Sequence, residues 1–60
     1  MPEIGTLMRD KARNAWGEFR GEFGGKFYLR PVGGGREWPA SPEFVRRATY
    51  DEAKRLRGES

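Results

Sequence analysis

The stretch Ala15-Trp16-Gly17-Glu18-Phe19-Arg20-Gly21-Glu22-Phe23-Gly24-Gly25-Lys26-Phe27-Tyr28-Leu29-Arg30-Pro31-Val32 decides the fold. As a helix it would carry Gly17, Gly21 and Gly24 in its interior, each costing about 1 kcal/mol relative to alanine. As a strand it alternates cleanly. Trp16, Glu18, Arg20 and Glu22 take one face; Ala15, Gly17, Phe19, Gly21 and Phe23 take the other. A strand over Ala15–Phe23 and a second over Phe27–Val32 are therefore predicted, joined around Gly24–Gly25. The loop sets the register. A two-residue loop brings Phe19 opposite Arg30 and mixes charge with apolar surface. A loop of odd length pairs Phe23 with Phe27, Gly21 with Leu29 and Phe19 with Pro31, with every apolar residue on one side. Because a one-residue slip inverts the faces, the odd loop is the expected one.

Outward from this hairpin, Ile4–Asp10 reads as a strand and Asp10–Asn14 as a polar turn. Gly33–Gly34–Gly35 is a turn, and Arg36–Ala40 is a short strand that Pro39 marks as an edge or an ending. Ser41-Pro42-Glu43-Phe44 predicts one helical turn, with Ser41 as cap and Pro42 first in the helix. Val45–Ala48 is a closing strand. Thr49-Tyr50-Asp51-Glu52 is a capping box that opens a helix through about Arg57, ended by Gly58. Acidic residues begin that helix and Lys54, Arg55 and Arg57 end it, as its dipole favours.

Sixty residues make one domain at most, and a small one. The chain has no Cys and no His. That excludes disulfides, zinc and iron–sulfur sites, and the commonest catalytic base. No convincing pair of carboxylates for acid–base work is present, so no enzyme, no metal site and no cofactor is expected. With eight aromatic residues, the core must be largely aromatic. Ile4, Leu7 or Met8, Phe19, Phe23, Phe27, Leu29, Trp38, Phe44 and Val45 are its expected members. Five short antiparallel strands with one apolar face must curl to bury it. The expected architecture is a mainly β, five-stranded antiparallel small barrel over about residues 4–48, with a C-terminal α-helix over about 50–57. There is no run of apolar residues long enough to span a membrane and no signal-peptide pattern, so a soluble, cytoplasmic protein is expected.

The segments Gly5-Thr6-Leu7-Met8-Arg9-Asp10, Tyr28-Leu29-Arg30-Pro31 and Gly33-Gly34-Gly35-Arg36-Glu37-Trp38, together with Gly17, resemble a group of short actinobacterial proteins. The resemblance covers roughly residues 4–45, and Leu-Arg-Pro followed by Gly-Gly-Gly-Arg-Glu-Trp is its most specific part. More loosely, the layout is similar to SH3-like small barrels, including KOW, Tudor and PRC-barrel domains. That likeness implies a binding module for RNA, DNA, peptides or partner proteins, and it transfers no site residue.

Twelve Lys and Arg against nine Asp and Glu leave a net charge of +3. Nine of the twelve cations are Arg, the better fork for phosphate. The odd-loop register sets Arg20 opposite Arg30 and Glu22 opposite Tyr28 on the solvent face. An anion would relieve the repulsion between the two arginines, with Trp16 and Tyr28 as stacking surfaces. Glu18 and Glu22 as neutralising neighbours, and the C-terminal helix as a cover for Trp16, are the alternative. Arg46, Arg47, Lys54, Arg55 and Arg57 form a second basic group that either attracts a phosphate backbone or is a solvated face. Trp38 is read as core, Gly33–Gly35 as a plain turn without the Lys-Ser or Lys-Thr of a P-loop, and Pro39-Ala40-Ser41-Pro42 as a turn. The expected function is nucleic-acid binding through a basic and aromatic face, with a protein partner or a homodimer as the alternative.

Overall fold

The computed structural model describes residues 2–56 and Gly58. Strands β1 (Leu7–Asp10), β2 (Ala15–Phe23), β3 (Lys26–Pro31), β4 (Trp38–Ala40) and β5 (Val45–Arg47) are joined by short turns, with a 3-10 turn at Pro42–Phe44 before β5 and a helix α1 (Tyr50–Leu56) after it. They form one antiparallel sheet in the order β4-β3-β2-β1-β5. The mainly β, five-stranded reading with a short C-terminal helix holds. The closed barrel does not: β4 and β5 are edges of an open sheet, with no ladder between them. Each is three residues long, and Pro39 in the middle of β4 has no N–H to donate, which blunts that edge.

The hairpin differs from its expected register. Gly24 and Gly25 alone form the loop, at φ 61° and 79°, the two left-handed residues of a type I′ turn that matches strand twist. Phe23 therefore pairs with Lys26, Glu22 with Phe27 and Gly21 with Tyr28. Continued unbroken, this register would set Phe19 against Arg30. A bulge at Arg20 prevents it: below the bulge Phe19 pairs with Leu29, Glu18 with Arg30 and Gly17 with Pro31. One extra residue restores the apolar face where it is needed and bends the strand. The cost falls on Phe23, which leaves the core and is 75% exposed.

Met8, Phe19, Leu29, Trp38 and Ala40 make the buried cluster, with Ala15, Phe27 and Val45 partly buried against it. Phe19 and Phe27 meet edge to face at 5.0 Å, a favoured aromatic geometry. Both Leu7 and Met8 are buried, although alternation sends them to opposite faces. Ile4 and Phe44, expected in the core, are 60% and 44% exposed. For Ile4 the reason is local. The Thr6 N–H bonds the Glu3 carbonyl at 3.0 Å, so the chain turns at Ile4–Gly5 and the strand begins only at Leu7.

Asp10, 3% exposed, organises the far end of β1. Its Oδ1 accepts from the backbone N–H groups of Ala12 at 3.0 Å and Arg13 at 3.3 Å, shaping the turn before β2. Its Oδ2 accepts from Trp38 Nε1 at 2.9 Å. Two strands separate β1 from β4 in the sheet, so this bond ties together the two ends of its curl. Trp38 crosses directly over Gly17. A Cβ at Gly17 would lie 2.8 Å from the Trp38 ring and 3.0 Å from the Arg30 carbonyl and Leu29 Cβ.

Helix α1 opens as its capping box requires. The Glu52 N–H donates to Thr49 Oγ1 at 3.2 Å, and the Thr49 N–H donates to Glu52 Oε1 at 2.9 Å. The helix ends at Leu56; Arg57, its expected last residue, lies outside the described residues. Ser41 does not cap the 3-10 turn with its side chain; its Oγ accepts from Lys26 Nζ instead, at 3.0 Å.

Two measurements check this packing. Leu29→Ala should lose about 2–5 kcal/mol in denaturant unfolding, whereas Phe23→Ala, at an exposed site, should stay within about 0.5 kcal/mol of the parent. Trp38→Phe strips a buried carboxylate oxygen of its donor and also removes part of a buried ring, so it should cost at least about 1–3 kcal/mol. A Trp38→Phe protein as stable as the parent would show that the Asp10 bond contributes nothing.

Candidate functional site

The ladder gathers several of the charged and aromatic side chains on one outer face. From the register and alternation, this face carries Leu7 and Arg9 of β1, Trp16 and Glu18 of β2, Tyr28 and Arg30 of β3, Pro39 of β4 and Arg46 of β5. Beyond the bulge, Gly21 and Phe23 join it opposite Tyr28 and Lys26.

The expected site residues fall into two groups. In the first, Tyr28 is half-buried and Arg30 exposed, two residues apart on β3. Lys26 extends the row, and exposed Phe23 stands opposite it. Gly21 opposite Tyr28 leaves open space, since no atom lies within 4 Å of where its Cβ would be. The expected Arg20–Arg30 pair does not form. Glu18 occupies the place opposite Arg30, and Arg20, in the bulge, reaches Glu37 with Nε 3.6 Å from Oε2. The two-residue loop and the bulge together cause this change.

The second group surrounds Trp16. Arg9 stands between Arg46 and Trp16 in the ladder. The Arg9 and Arg46 guanidinium carbons lie 5.3 and 5.7 Å from the Trp16 ring centroid, within cation–π range. Helix α1 lies beside this surface, and a hollow of about 170 Å³ between them is lined by Trp16, Glu52, Arg55 and Leu56. Trp16 is half-buried beside the helix. Arg46 forks onto Glu52, with Nη1 and Nη2 donating to Oε1 and Oε2 at 2.9 and 3.0 Å. Arg47 lies opposite Met8 and alternates to the other side of β5 from Arg46. Lys54 sits on α1, half-buried.

Among the described residues, only Glu37 and Glu52 lie within 4.0 Å of a cationic side chain. Arg9, Arg30, Arg47, Lys54 and Arg55 have no carboxylate of a described residue within that distance. Sequence reasoning missed Arg9, although its alternation with Met8 in β1 was readable. It also missed Phe23, because that residue's exposure depends on the bulge. A separate groove of about 470 Å³ runs between Arg13, Trp38, Pro39 and Phe44, with the Arg13 guanidinium 4.7 Å from the Trp38 ring centroid. Among the described residues no three His, Cys, Asp or Glu side chains converge as a metal site, and no helix is long and apolar enough to cross a membrane. The chain matches no protein-family model, no curated protein and no solved structure at a significant level.

The Arg46 fork, followed by the Thr49 N–H, lowers the Glu52 carboxyl from its usual 4.5 to about 2. A carboxyl whose pKa is depressed by folding stabilises the folded state above its unfolded pKa, and that stabilisation is lost as pH falls through its folded pKa. The docking of α1 should therefore weaken between about 4.5 and 2. The amide signals of Ala53–Leu56 should follow this titration, and Glu52→Gln should flatten it. A Glu52 carboxyl titrating at its ordinary value would mean that the fork does not persist in solution.

Proposed function

We propose that the chain is a small non-enzymatic binding module with an SH3-like layout, and that its outer sheet face binds nucleic acid. The strand order, the 3-10 turn before the last strand and the curled sheet support the layout. One observation carries the ligand class. Tyr28 stands in a row between Lys26 and Arg30, with open space over the glycine opposite it and exposed Phe23 beside it. Aromatic rings flanked by cations bind single strands, because bases stack on the rings while phosphates meet the charges. Arg30 has no carboxylate within 4.0 Å among the described residues, even though Glu18 faces it in the ladder. A phosphate there would complete a pairing that the protein itself leaves open.

A protein partner is the second reading, favoured by the groove between Trp38, Pro39 and Phe44 and by Phe44 being 44% exposed. Salt separates the two, since phosphate binding weakens steeply as salt rises and an apolar contact does not.

The test is an NMR titration with the single strands dT8 and U8 at low salt. Amides of Lys26–Arg30 should shift. Tyr28→Ala should weaken binding by about 1–3 kcal/mol with little change in salt slope. Arg30→Ala should lower the slope by about one. Arg20→Ala should change neither, because its partner is Glu37. If neither strand moves these amides, the nucleic-acid reading of this face fails.

A further inference from the structure

We propose that α1 is a removable cover, and that Glu52 occupies an arginine-lined phosphate site on Trp16 which a nucleic-acid phosphate takes over when the helix lifts. The proposal rests on the nucleic-acid reading above and extends it to the other half of the same sheet face.

The charge balance of the Trp16 surface comes first. Arg9 and Arg46 are direct neighbours across β1 and β5, where like charges repel. Both guanidinium groups lie within 6 Å of the Trp16 centroid. Arg55 lines the adjoining hollow. Among the described residues one carboxylate, Glu52, lies within 4.0 Å of any of these three cations; of the three it bonds only Arg46, and its Oε1 also accepts from the Thr49 N–H. The hydrogen-bond partner of Arg9 is the neutral side-chain oxygen of Asn14. Two oxygens of a tetrahedral phosphate can meet the Arg46 fork bidentately, as the carboxylate now does, leaving further oxygens for Arg9. The indole of Trp16 beside it offers a base a stacking face.

The attachment of the cover is weak. Helix α1 has seven residues and none of them is buried; Tyr50 is 79% exposed. A helix this short has little stability of its own. Its polar ties to the sheet run through the Arg46–Glu52 fork, whose two side chains are 43% and 29% exposed, and exposed ion pairs hold little free energy. Exchange of one oxyanion for another at Arg46 therefore releases the helix without disturbing the Met8–Phe19–Leu29–Trp38 core.

Glu52→Gln tests this cleanly, because Gln retains the capping box while removing the charge. Wild type and variant are titrated with dT8 and, separately, with tripolyphosphate, following the Trp16 indole N–H and the Arg9 and Tyr28 amides. The variant should bind dT8 about 2- to 5-fold more tightly, the size of one exposed ion pair. Its Trp16 signal should shift, and adding Arg9→Ala should abolish the gain. Equal affinity of wild type and variant for dT8, with Tyr28 shifting and Trp16 still, would overturn the cover while leaving the nucleic-acid reading standing. Tripolyphosphate shifting Trp16 in the variant while dT8 binds neither protein would keep the anion site and remove nucleic acid as its ligand. If neither probe moves Trp16 in the variant, the site does not exist.

Discussion

The bond from Trp38 to the buried Asp10 is the constraint on which the rest of the structure depends. A carboxylate hidden from water must be supplied with donors. Asp10 takes three: two backbone N–H groups of its own turn and one indole N–H from the opposite edge of the sheet. The first two shape the β1–β2 connection. The third fixes where β4 lies, and so how far the sheet curls. Trp38 reaches this position only by passing over Gly17, where no Cβ fits. The open sheet thus gains the cohesion that a closed barrel draws from its last ladder.

The second constraint is local. The Gly24–Gly25 turn demands a two-residue hairpin, and that hairpin conflicts with the apolar pattern below it. The bulge at Arg20 resolves the conflict by letting the ladder change register between Phe19 and Gly21. It has consequences for binding as well as for stability. Phe23 is turned out to solvent beside Tyr28. Arg20 leaves the face it was expected to occupy, and Glu18 takes the place opposite Arg30. A single unpaired residue redistributes much of the chemistry on the outer face.

The two ends of that face differ in how they are held. The β2–β3 end is built on the long central ladder and presents its side chains on a rigid frame. The β5 end is finished by a helix with no buried residue, tied by an arginine that also serves Trp16. In a domain with this small a core, stability is only a few kcal/mol in all, so a weakly attached element is the natural place for conformational change.

Much of the fold was readable in the order of residues. Period-two alternation marked the bounds of β2, Ala15 to Phe23, though not the break in its faces at Arg20, and Gly17, Gly21 and the following Gly24 argued against a helix there. Thr49 and Glu52 announced α1, because a capping box needs only residues three apart. Phe19, Leu29 and Trp38 were legible as core because a small β domain has nowhere else to bury large apolar side chains. Local chemistry governs each of these features, and local chemistry is written in sequence. The bulge, the exposure of Phe23, the Arg20–Glu37 pair and the meeting of Arg9, Trp16 and Arg46 were not legible. Each depends on which strand lies beside which and in what register, a choice made by the whole core at once. Asp10 shows the division most plainly. Its place before a turn was evident from its neighbours, but its partner stands 28 residues away, and only the curl of the sheet brings Trp38 to it.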